Sequence, residues 1–210
     1  MSVAAIIPAY NEEKTIKDVI DVVKKVDKID RIIVVSDGSD DRTVKIAKKC
    51  GVQVIALSKN IGKGGAMSRG VKKSKEDIIL FLDADLIGLT TKHVEDLINP
   101  IIENKTSMTL GIFANGKITL DIAQRVAPFL TGQRALKREL FNQIENIEIT
   151  RFGVEIALTR YIKTNDIPFL KVKLNNLSHL IKERKMGFFK GFIHRLKMYW
   201  EIIKDFKTVR

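Results

Sequence analysis

The sequence predicts an α/β fold in which a mostly parallel, Rossmann-like sheet is covered by helices on both faces. Two observations lead to this prediction. Short apolar runs alternate with segments of helical spacing through the first ninety residues, which is typical of buried parallel strands joined by right-handed crossovers. Polar residues and glycines follow each apolar run, whereas plain turns such as 27–30 and 73–77 connect each helix to the next strand. In such sheets, ligands bind beyond the carboxyl ends of the strands.

The elements of the first half follow from these patterns. Four short runs rich in Val, Ile or Leu are predicted strands: residues 3–7, 31–36, 52–57 and 77–82. Three segments with apolar residues at helical spacing are predicted helices: residues 13–26, 42–50 and 63–73. The first of these helices carries its apolar face on Ile16, Val19, Ile20 and Val23.

The second half gives weaker patterns. Thr90 or Thr91 is expected to cap a helix that runs through Asn99. The other predictions are strands at residues 108–113 and 169–174, a turn into a basic helix at 132–140, and a helix at 153–163. A last amphipathic helix is predicted over residues 187–206, with Gly191 inside it.

Residues 1–180 are expected to form one domain, in two halves at 1–90 and 91–180, followed by a basic tail at 181–210. The net charge of the chain is +12, and half of it lies in that tail, where nine Lys or Arg residues stand against three Asp or Glu. Such an excess indicates a polyanionic partner, which is nucleic acid, anionic lipid or a phosphorylated substrate.

The rest of the composition predicts a cytoplasmic protein. Cys50 is the single cysteine, so that no intrachain disulfide can form and a reducing compartment fits best. The start of the chain lacks a basic leader, and apolar runs such as residues 78–82 are far shorter than a membrane span needs. We therefore expect neither a signal peptide nor a transmembrane helix.

Asp83, Ala84 and Asp85 directly follow a predicted strand and form the sharpest motif of the sequence. Of two carboxylates so placed, one can accept a hydrogen bond from a ribose hydroxyl and the other can bind a hard cation. Mg²⁺ or Mn²⁺ there would bridge the phosphates of a nucleoside diphosphate sugar and neutralise the charge on the leaving phosphate. The structural alternative is a pair of solvated turn residues or helix caps.

Two other strand ends carry polar groups. Asp37, at the end of the second strand, is expected to be free to accept a hydrogen bond from a base or a sugar, whereas Asp40 or Asp41 is expected to cap the helix that begins at Arg42. Lys63 lies in a Gly-Lys-Gly-Gly run at a helix start, where glycines let the backbone approach an anion. The run lacks the spacing of a Walker loop.

Four motifs now stand in a fixed order: residues 7–13 (IPAYNEE), 36–39 (SDGS), 60–64 (NIGKG) and 83–85 (DAD). Their order and spacing resemble those of family-2 glycosyltransferases, in the branch of the polyprenyl-phosphate sugar transferases and glucosyl-phosphoglycerate synthase-like enzymes. The resemblance is strong over residues 3–90 and looser afterwards. It implies a GT-A fold and a nucleoside diphosphate sugar as donor.

The resemblance also implies roles for residues of the donor half. Pro8, Tyr10 and Glu12 would line the nucleoside pocket, and Asp37 would reach the base. Lys63 and Ala84 would belong to the same donor site. Asp83 would contact the ribose or the metal, and Asp85 would bind the metal and so act in catalysis.

Further roles fall later in the chain. The resemblance implies that Arg134 approaches the diphosphate and the acceptor, and a guanidinium group suits phosphate oxygens. The alternative is an arginine on the surface of a helix. The resemblance also makes His179 a candidate for the third metal ligand. The alternative is a purely structural histidine. Residues 110–180 contain no Glu-Asp pair that would supply a catalytic base. Glu155 is the substitute candidate. A phosphate-monoester acceptor, which is already an oxyanion, would need no base.

The acceptor class and the tail remain open at this point. A polyprenyl phosphate, a lipid or a small phosphorylated molecule would each fit the charge. The tail would either lie on an anionic membrane, at its cytoplasmic face, or pack on the domain. Two rival functions are a non-catalytic nucleotide-sugar binder and a basic nucleic-acid-binding module. The second is disfavoured, because the acidic residues cluster at the predicted ligand edge.

Overall fold

The computed structural model describes residues 1–114, 132–144 and 154–180. The chain divides into two compact units, Met1–Ser178 and His179–Arg210. Of the second unit only residues 179 and 180 are described, so the tail helix predicted at 187–206 lies outside the described residues. Within the described part of the chain, no helix combines the length and the apolar character that crossing a bilayer requires.

Seven strands form a sheet at the centre of the first unit: β1 (Val3–Ala9), β2 (Arg31–Ser36), β3 (Gln53–Ala56), β4 (Ile78–Phe81), β6 (Met108–Ala114), β7 (Arg134–Lys137) and β8 (Phe169–Asn175). Their order across the sheet is β3-β2-β1-β4-β7-β6-β8. Strand β7 runs antiparallel to both of its neighbours, and the other described pairings are parallel. The predicted mostly parallel, mixed sheet is confirmed.

Two further strands, β5 (Leu86–Ile87) and β9 (Ser178–His179), form a separate two-stranded sheet. Neither was predicted. A two-residue strand is too short to show alternation in a sequence, and only its pairing reveals it.

Helices cover both faces of the large sheet, as predicted. They are α1 (Ile16–Val23), α2 (Thr43–Lys49), α3 (Lys63–Lys73), α4 (Thr91–Ile102), α5 (Arg138–Asn142) and α6 (Val154–Thr164). Successive residues of a strand point to opposite faces. Accordingly, Ile7 of β1 packs in one buried cluster with α1 and α4, whereas Ile6 packs in the other with α3.

Two helix starts show how local hydrogen bonds set the element boundaries. Helix α1 begins at Ile16 rather than at residue 13, because residues 12–15 form a turn in which the carbonyl of Glu12 accepts from the amides of Thr15 and Ile16. Helix α4 begins as predicted. The hydroxyl of Thr90 accepts from the amide of His93, and Nδ1 of His93 accepts from the amide of Thr90. This reciprocal capping satisfies two amide groups at once.

The prediction of a turn into a basic helix over residues 132–140 was wrong for its first part. Residues 134–137 form strand β7, which inserts between β4 and β6, with Arg134 opposite both Phe81 and Leu110. The helix starts only at Arg138. A four-residue segment that begins with Arg134 and ends with Lys137 has no strand-like pattern of its own. Pairing on both edges decides its conformation, since tertiary context overrides weak propensity.

Candidate active site

The carboxyl ends of β1 and β2 bring their following loops together. The two strands pair in register up to Ala9 and Ser36, and the amide of Asp37 donates 2.8 Å to the carbonyl of Ala9. Because both strands are parallel, their loops leave the same edge of the sheet. The candidate site is built from this edge.

The loops after β1 and β2 are cross-linked through Asn11. The backbone amide of Asn11 donates a 3.1 Å hydrogen bond to Oγ of Ser39. The side-chain oxygen Oδ1 of Asn11 accepts a 2.9 Å hydrogen bond from the backbone amide of Asp40. Asn11 has a φ of 55°, a left-handed conformation that Asn tolerates better than most residues. The loop that carries Tyr10 is therefore tied to its neighbour.

A second set of bonds ties the same loops at the start of α2. Asp41 accepts from the amides of Thr43, over 2.9 Å, and of Glu13, over 3.1 Å. The helix begins at Thr43 rather than at the predicted Arg42, and Arg42 occupies the N-cap position. Of the two acids expected to cap this helix, Asp41 accepts from its first amide. Glu13 also accepts a 2.9 Å hydrogen bond from the Arg42 guanidinium, and this bond lowers the pKa of the Glu13 carboxyl. The pair is exposed, so it adds little stability.

The residues predicted to line the nucleoside pocket differ in exposure. Pro8 is half-buried at the end of β1, and Tyr10 leaves 46% of its surface exposed. Glu12 is buried, and its backbone amide donates a 2.8 Å hydrogen bond to the hydroxyl of Thr43. An exposed aromatic ring beside buried polar groups suits a planar base. The role of these three residues in nucleoside binding stays a prediction.

Asp37 is not the free acceptor that the sequence suggested. Its side chain is buried, and each oxygen accepts a backbone amide: Oδ1 from Ile61 over 2.7 Å and Oδ2 from Gly62 over 2.9 Å. The carboxylate therefore fixes the turn that leads into α3. Each oxygen of a carboxylate can accept more than one hydrogen bond, so the predicted contact to a base stays a prediction.

Gly38 permits the close approach of the loop after β2 to the loop after β3, which contains Lys59 and Asn60. Its φ is +71°, and an added Cβ would lie 2.7 Å from the amide nitrogen of Asn60. No side chain fits at that distance. Glycine is therefore required at this position for two reasons, the left-handed backbone and the absence of space.

Lys63, the first residue of α3, reaches across to the end of β4. Its Nζ lies 2.6 Å from Oδ1 of Asp83. The other oxygen, Oδ2, accepts a 2.9 Å hydrogen bond from Nε2 of Gln133. Gln133 is fully buried. Both oxygens of the Asp83 carboxylate are thus held by donors from two different segments, and its orientation is defined.

Gly132 lies directly against this pair. A Cβ added to Gly132 would fall 2.4 Å and 2.5 Å from the two oxygens of Asp83, and 2.5 Å from Nζ of Lys63. The backbone of Gly132 therefore closes one side of the Asp83–Lys63 pair. Neither Gly132 nor Gln133 was a predicted site residue. Both directly precede Arg134, a predicted site residue, and that adjacency is the signal that could have found them.

The structure brings together the three predicted metal ligands. Strand β9 begins in the first unit with Ser178 and pairs with β5, which starts at the residue after Asp85. Asp83, Asp85 and His179 each offer one ligand atom, and these atoms lie within 4.8 Å of one another. Carboxylate oxygens with an imidazole form a donor set that suits a divalent cation such as Mn²⁺. All three residues are half-buried, which leaves access for a ligand.

Three predicted site residues remain: Ala84, Arg134 and Glu155. Ala84 is buried between the two acids. Arg134 is fully buried within β7 rather than on a helix surface, so the helix-surface alternative is excluded and the phosphate contact stays a prediction. Glu155 belongs to α6, but its side chain lies outside the described residues. Its role as base also stays a prediction.

Comparison with known proteins identifies the family. The sequence profile of "Glycosyl transferase family 2" matches residues 4–163. The chain belongs to glycosyl transferase family 2. The match includes β2, β3, β4, nearly all of β1, the Asp83–Asp85 motif and β7, whereas His179 lies beyond the matched residues.

Two curated relatives illustrate how this family-2 chain compares in sequence. It is 26% identical to the dolichol-phosphate mannosyltransferase of Pyrococcus furiosus over 205 residues, covering 80% of this chain and 56% of the relative. It is 39% identical over 110 residues to an uncharacterized protein of Methanocaldococcus jannaschii, covering 50% of this chain and 44% of that protein. The chain thus spans about half the length of these relatives.

Solved structures of glucosyl-3-phosphoglycerate synthase from Mycobacterium tuberculosis have the same fold. The complex with Mn²⁺, uridine-diphosphate-glucose and phosphoglyceric acid matches with a TM-score of 0.72 and 26% identity, over 88% of this chain and 73% of that one. The complex with Mg²⁺ and uridine-diphosphate matches with a TM-score of 0.70 and 27% identity, over 88% and 73% of the two chains. The GT-A fold expected for this family-2 chain is confirmed.

Proposed function

We propose that this protein transfers a sugar from a nucleoside diphosphate sugar to a phosphorylated acceptor, with the help of Mg²⁺ or Mn²⁺. The observation that carries the proposal is the group of Asp83, Asp85 and His179, whose ligand atoms lie within 4.8 Å of one another. The group stands at the carboxyl end of β4, where parallel sheets bind ligands. Family membership supports the same chemistry.

The residues of the chain divide the work by position. Pro8, Tyr10 and Glu12 would hold the nucleoside, and Lys63 would lie beside the diphosphate at the start of α3, where a helix favours anions. Asp83, Asp85 and His179 would hold the cation. When bound, that cation neutralises the charge that develops on the leaving diphosphate.

A phosphorylated acceptor is supported by what the relatives bind. The structures of the Mycobacterium tuberculosis synthase contain phosphoglyceric acid in one case and glycerol 3-phosphate in another. The Pyrococcus furiosus relative is named for dolichol phosphate. If the acceptor attacks through a phosphate oxygen, it is already ionised at neutral pH and needs no base. If it attacks through a hydroxyl, Glu155 is the proposed base.

Donor binding followed by turnover tests the proposal. UDP-glucose, UDP-GlcNAc and GDP-mannose are titrated by calorimetry with and without Mn²⁺, and the donor that binds is then incubated with 3-phosphoglycerate, glycerol 3-phosphate or a polyprenyl phosphate. Metal-dependent binding and a glycosylated product from one acceptor support the proposal. Binding without transfer to any acceptor or to water would favour a non-catalytic nucleotide-sugar binder instead.

Contact of the tail with an anionic membrane is a separate part of the proposal. It rests on the excess of six positive charges among residues 181–210 and on the attraction of basic segments to anionic lipid. Sedimentation with vesicles that contain phosphatidylglycerol, compared with vesicles of phosphatidylcholine alone, tests it. Equal sedimentation with both would favour a tail that packs on the domain.

A further inference from the structure

We infer that Lys63 is an internal counter-ion that occupies Asp83 until a donor diphosphate arrives, so that the divalent cation binds poorly to the protein without nucleotide. This inference rests on the proposed function and adds an order of binding to it. The deciding contact is the 2.6 Å approach of the Lys63 ammonium to Oδ1 of Asp83. The same carboxylate belongs to the candidate metal group.

The pair is partly shielded from water. The side chain of Lys63 is 28% exposed and that of Asp83 is 16% exposed. Charges in such a position interact more strongly than charges in bulk water. An incoming divalent cation therefore meets a positive charge that is already in contact with one of its ligands. Binding of the cation at Asp83 either repels the Lys63 ammonium or displaces it.

Asp83 has little freedom to turn a different oxygen to the cation. Nε2 of the fully buried Gln133 donates to Oδ2 over 2.9 Å. The space of a Cβ on Gly132 overlaps both carboxylate oxygens and Nζ of Lys63, so the backbone of Gly132 closes that side. The clamp by Gln133 keeps the carboxylate in one orientation, and the competition with Lys63 cannot be avoided by rotation.

Lys63 has a second place to go when the donor binds. Its backbone is fixed, because Asp37 holds the amides of Ile61 and Gly62 immediately before it. Its side chain is a flexible four-carbon stem that ends in a point charge. A diphosphate at the start of α3 offers that charge a new anionic partner. The donor thus removes Lys63 from Asp83 and opens Asp83 to the cation.

The diagnostic quantity is the affinity for the metal alone. UDP chelates Mn²⁺ by itself, so tighter metal binding in the presence of UDP does not distinguish the counter-ion from simple chelation. Removal of the Lys63 charge does. If Lys63 suppresses metal binding, its loss strengthens Mn²⁺ binding in the absence of any nucleotide, while the affinity for UDP falls.

The experiment titrates Mn²⁺ by electron paramagnetic resonance into the full chain and its variants without nucleotide. Lys63→Met is expected to bind Mn²⁺ about 10-fold more tightly than the unchanged protein, a typical coupling between sites. Lys63→Arg keeps the charge and is expected to bind as weakly as the unchanged protein. Lys92→Met is the matched control, because it also removes one lysine paired with an aspartate, Asp96, but on the exposed surface.

Unchanged or weaker Mn²⁺ binding by Lys63→Met would overturn the inference, and so would tighter binding by Lys92→Met of the same size. Lys63→Gln serves as a second neutral variant if Lys63→Met does not fold, as judged by circular dichroism. The two proposals fail separately. Sugar transfer by the unchanged protein with no effect of Lys63→Met on metal affinity leaves the proposed function standing. Tighter binding by Lys63→Met without any sugar transfer removes only the proposed function.

Discussion

Oδ2 of Asp37 accepts a 2.9 Å hydrogen bond from the backbone amide of Gly62, the residue that precedes α3. The bond joins the end of β2 to the start of α3 across 25 positions of the chain. Gly62 has a φ of 90°, a conformation that favours glycine. The Asp37 carboxylate, which directly follows β2, therefore positions the first turn of α3 and with it Lys63.

Replacing Asp37 with Asn is predicted to destabilise the protein by about 1–3 kcal/mol, because a buried amide group then loses a charged acceptor. The NH₂ group of Asn cannot accept from either Ile61 or Gly62. UDP affinity is expected to fall as well, since the start of α3 loses its anchor. Urea unfolding gives the stability change, and calorimetry gives the affinity.

Asp40→Asn is the control for this prediction, because Asp40 lies in the same loop but is exposed. It is expected to change stability by less than about 0.5 kcal/mol, as surface substitutions usually do. Equal unfolding curves for Asp37→Asn and the unchanged protein would contradict the anchoring role of Asp37.

The sequence predicted the first half of the fold well, for a physical reason. Strands buried on both faces must be apolar throughout, and the helices between them must be apolar on one face only. Residues 31–36 and 63–73 were predicted with the bounds that the structure has. Strand β7 carries no such pattern, since Arg134 and Lys137 enclose only Ala135 and Leu136. Its conformation depends on neighbours far away in the chain.

The candidate site shows the same division. Asp83, Asp85 and His179 were predicted as metal ligands from motif positions, and the structure groups them. The sequence could not show that Gln133 and Lys63 hold the two oxygens of Asp83, because these contacts join segments 50 and 20 positions apart from it. Nor could it show that Asp37 is engaged by backbone amides, since a backbone donor leaves no mark on residue types.

Gly132→Ala is predicted to disturb the candidate site without unfolding the domain. The added Cβ would lie 2.4 Å and 2.5 Å from the two oxygens of Asp83 and 2.5 Å from Nζ of Lys63, so the Asp83–Lys63 pair must shift from its present position. We expect transfer, and Mn²⁺ binding in the presence of UDP, to fall by about 10–100-fold, the usual cost of disturbing the support of a metal ligand. Gly51→Ala is the control. It meets no atom within 4 Å but strains a φ of +72°, so it should lower stability and leave metal binding unchanged.

Asp85→Ala is predicted to abolish transfer and leave the fold intact. The loss of kcat/KM is expected to exceed about 100-fold, because a direct metal ligand matters more than an outer partner. His179→Ala tests the third ligand, and its deficit should be partly overcome by a higher Mn²⁺ concentration. Asp96→Ala, at an acid on α4 that pairs with Lys92, is the control and should retain activity. Full turnover by Asp85→Ala would remove the metal assignment.

His93 is predicted to make folding stability depend on pH. Burial lowers the pKa of His93 below its ordinary value of 6.5, and a hydrogen bond to the backbone of Asn175 offsets this only in part. The unfolded chain therefore takes up a proton at a higher pH than the folded one, so the contribution of His93 to stability is lost as the pH falls below 6.5. Protonation would also remove the acceptor that Nδ1 offers to the amide of Thr90.

His93→Asn keeps an acceptor without a titrating group. Urea unfolding at a series of pH values should give a flatter dependence below 6.5 for this variant than for the unchanged protein, and identical slopes would show that His93 does not titrate on unfolding.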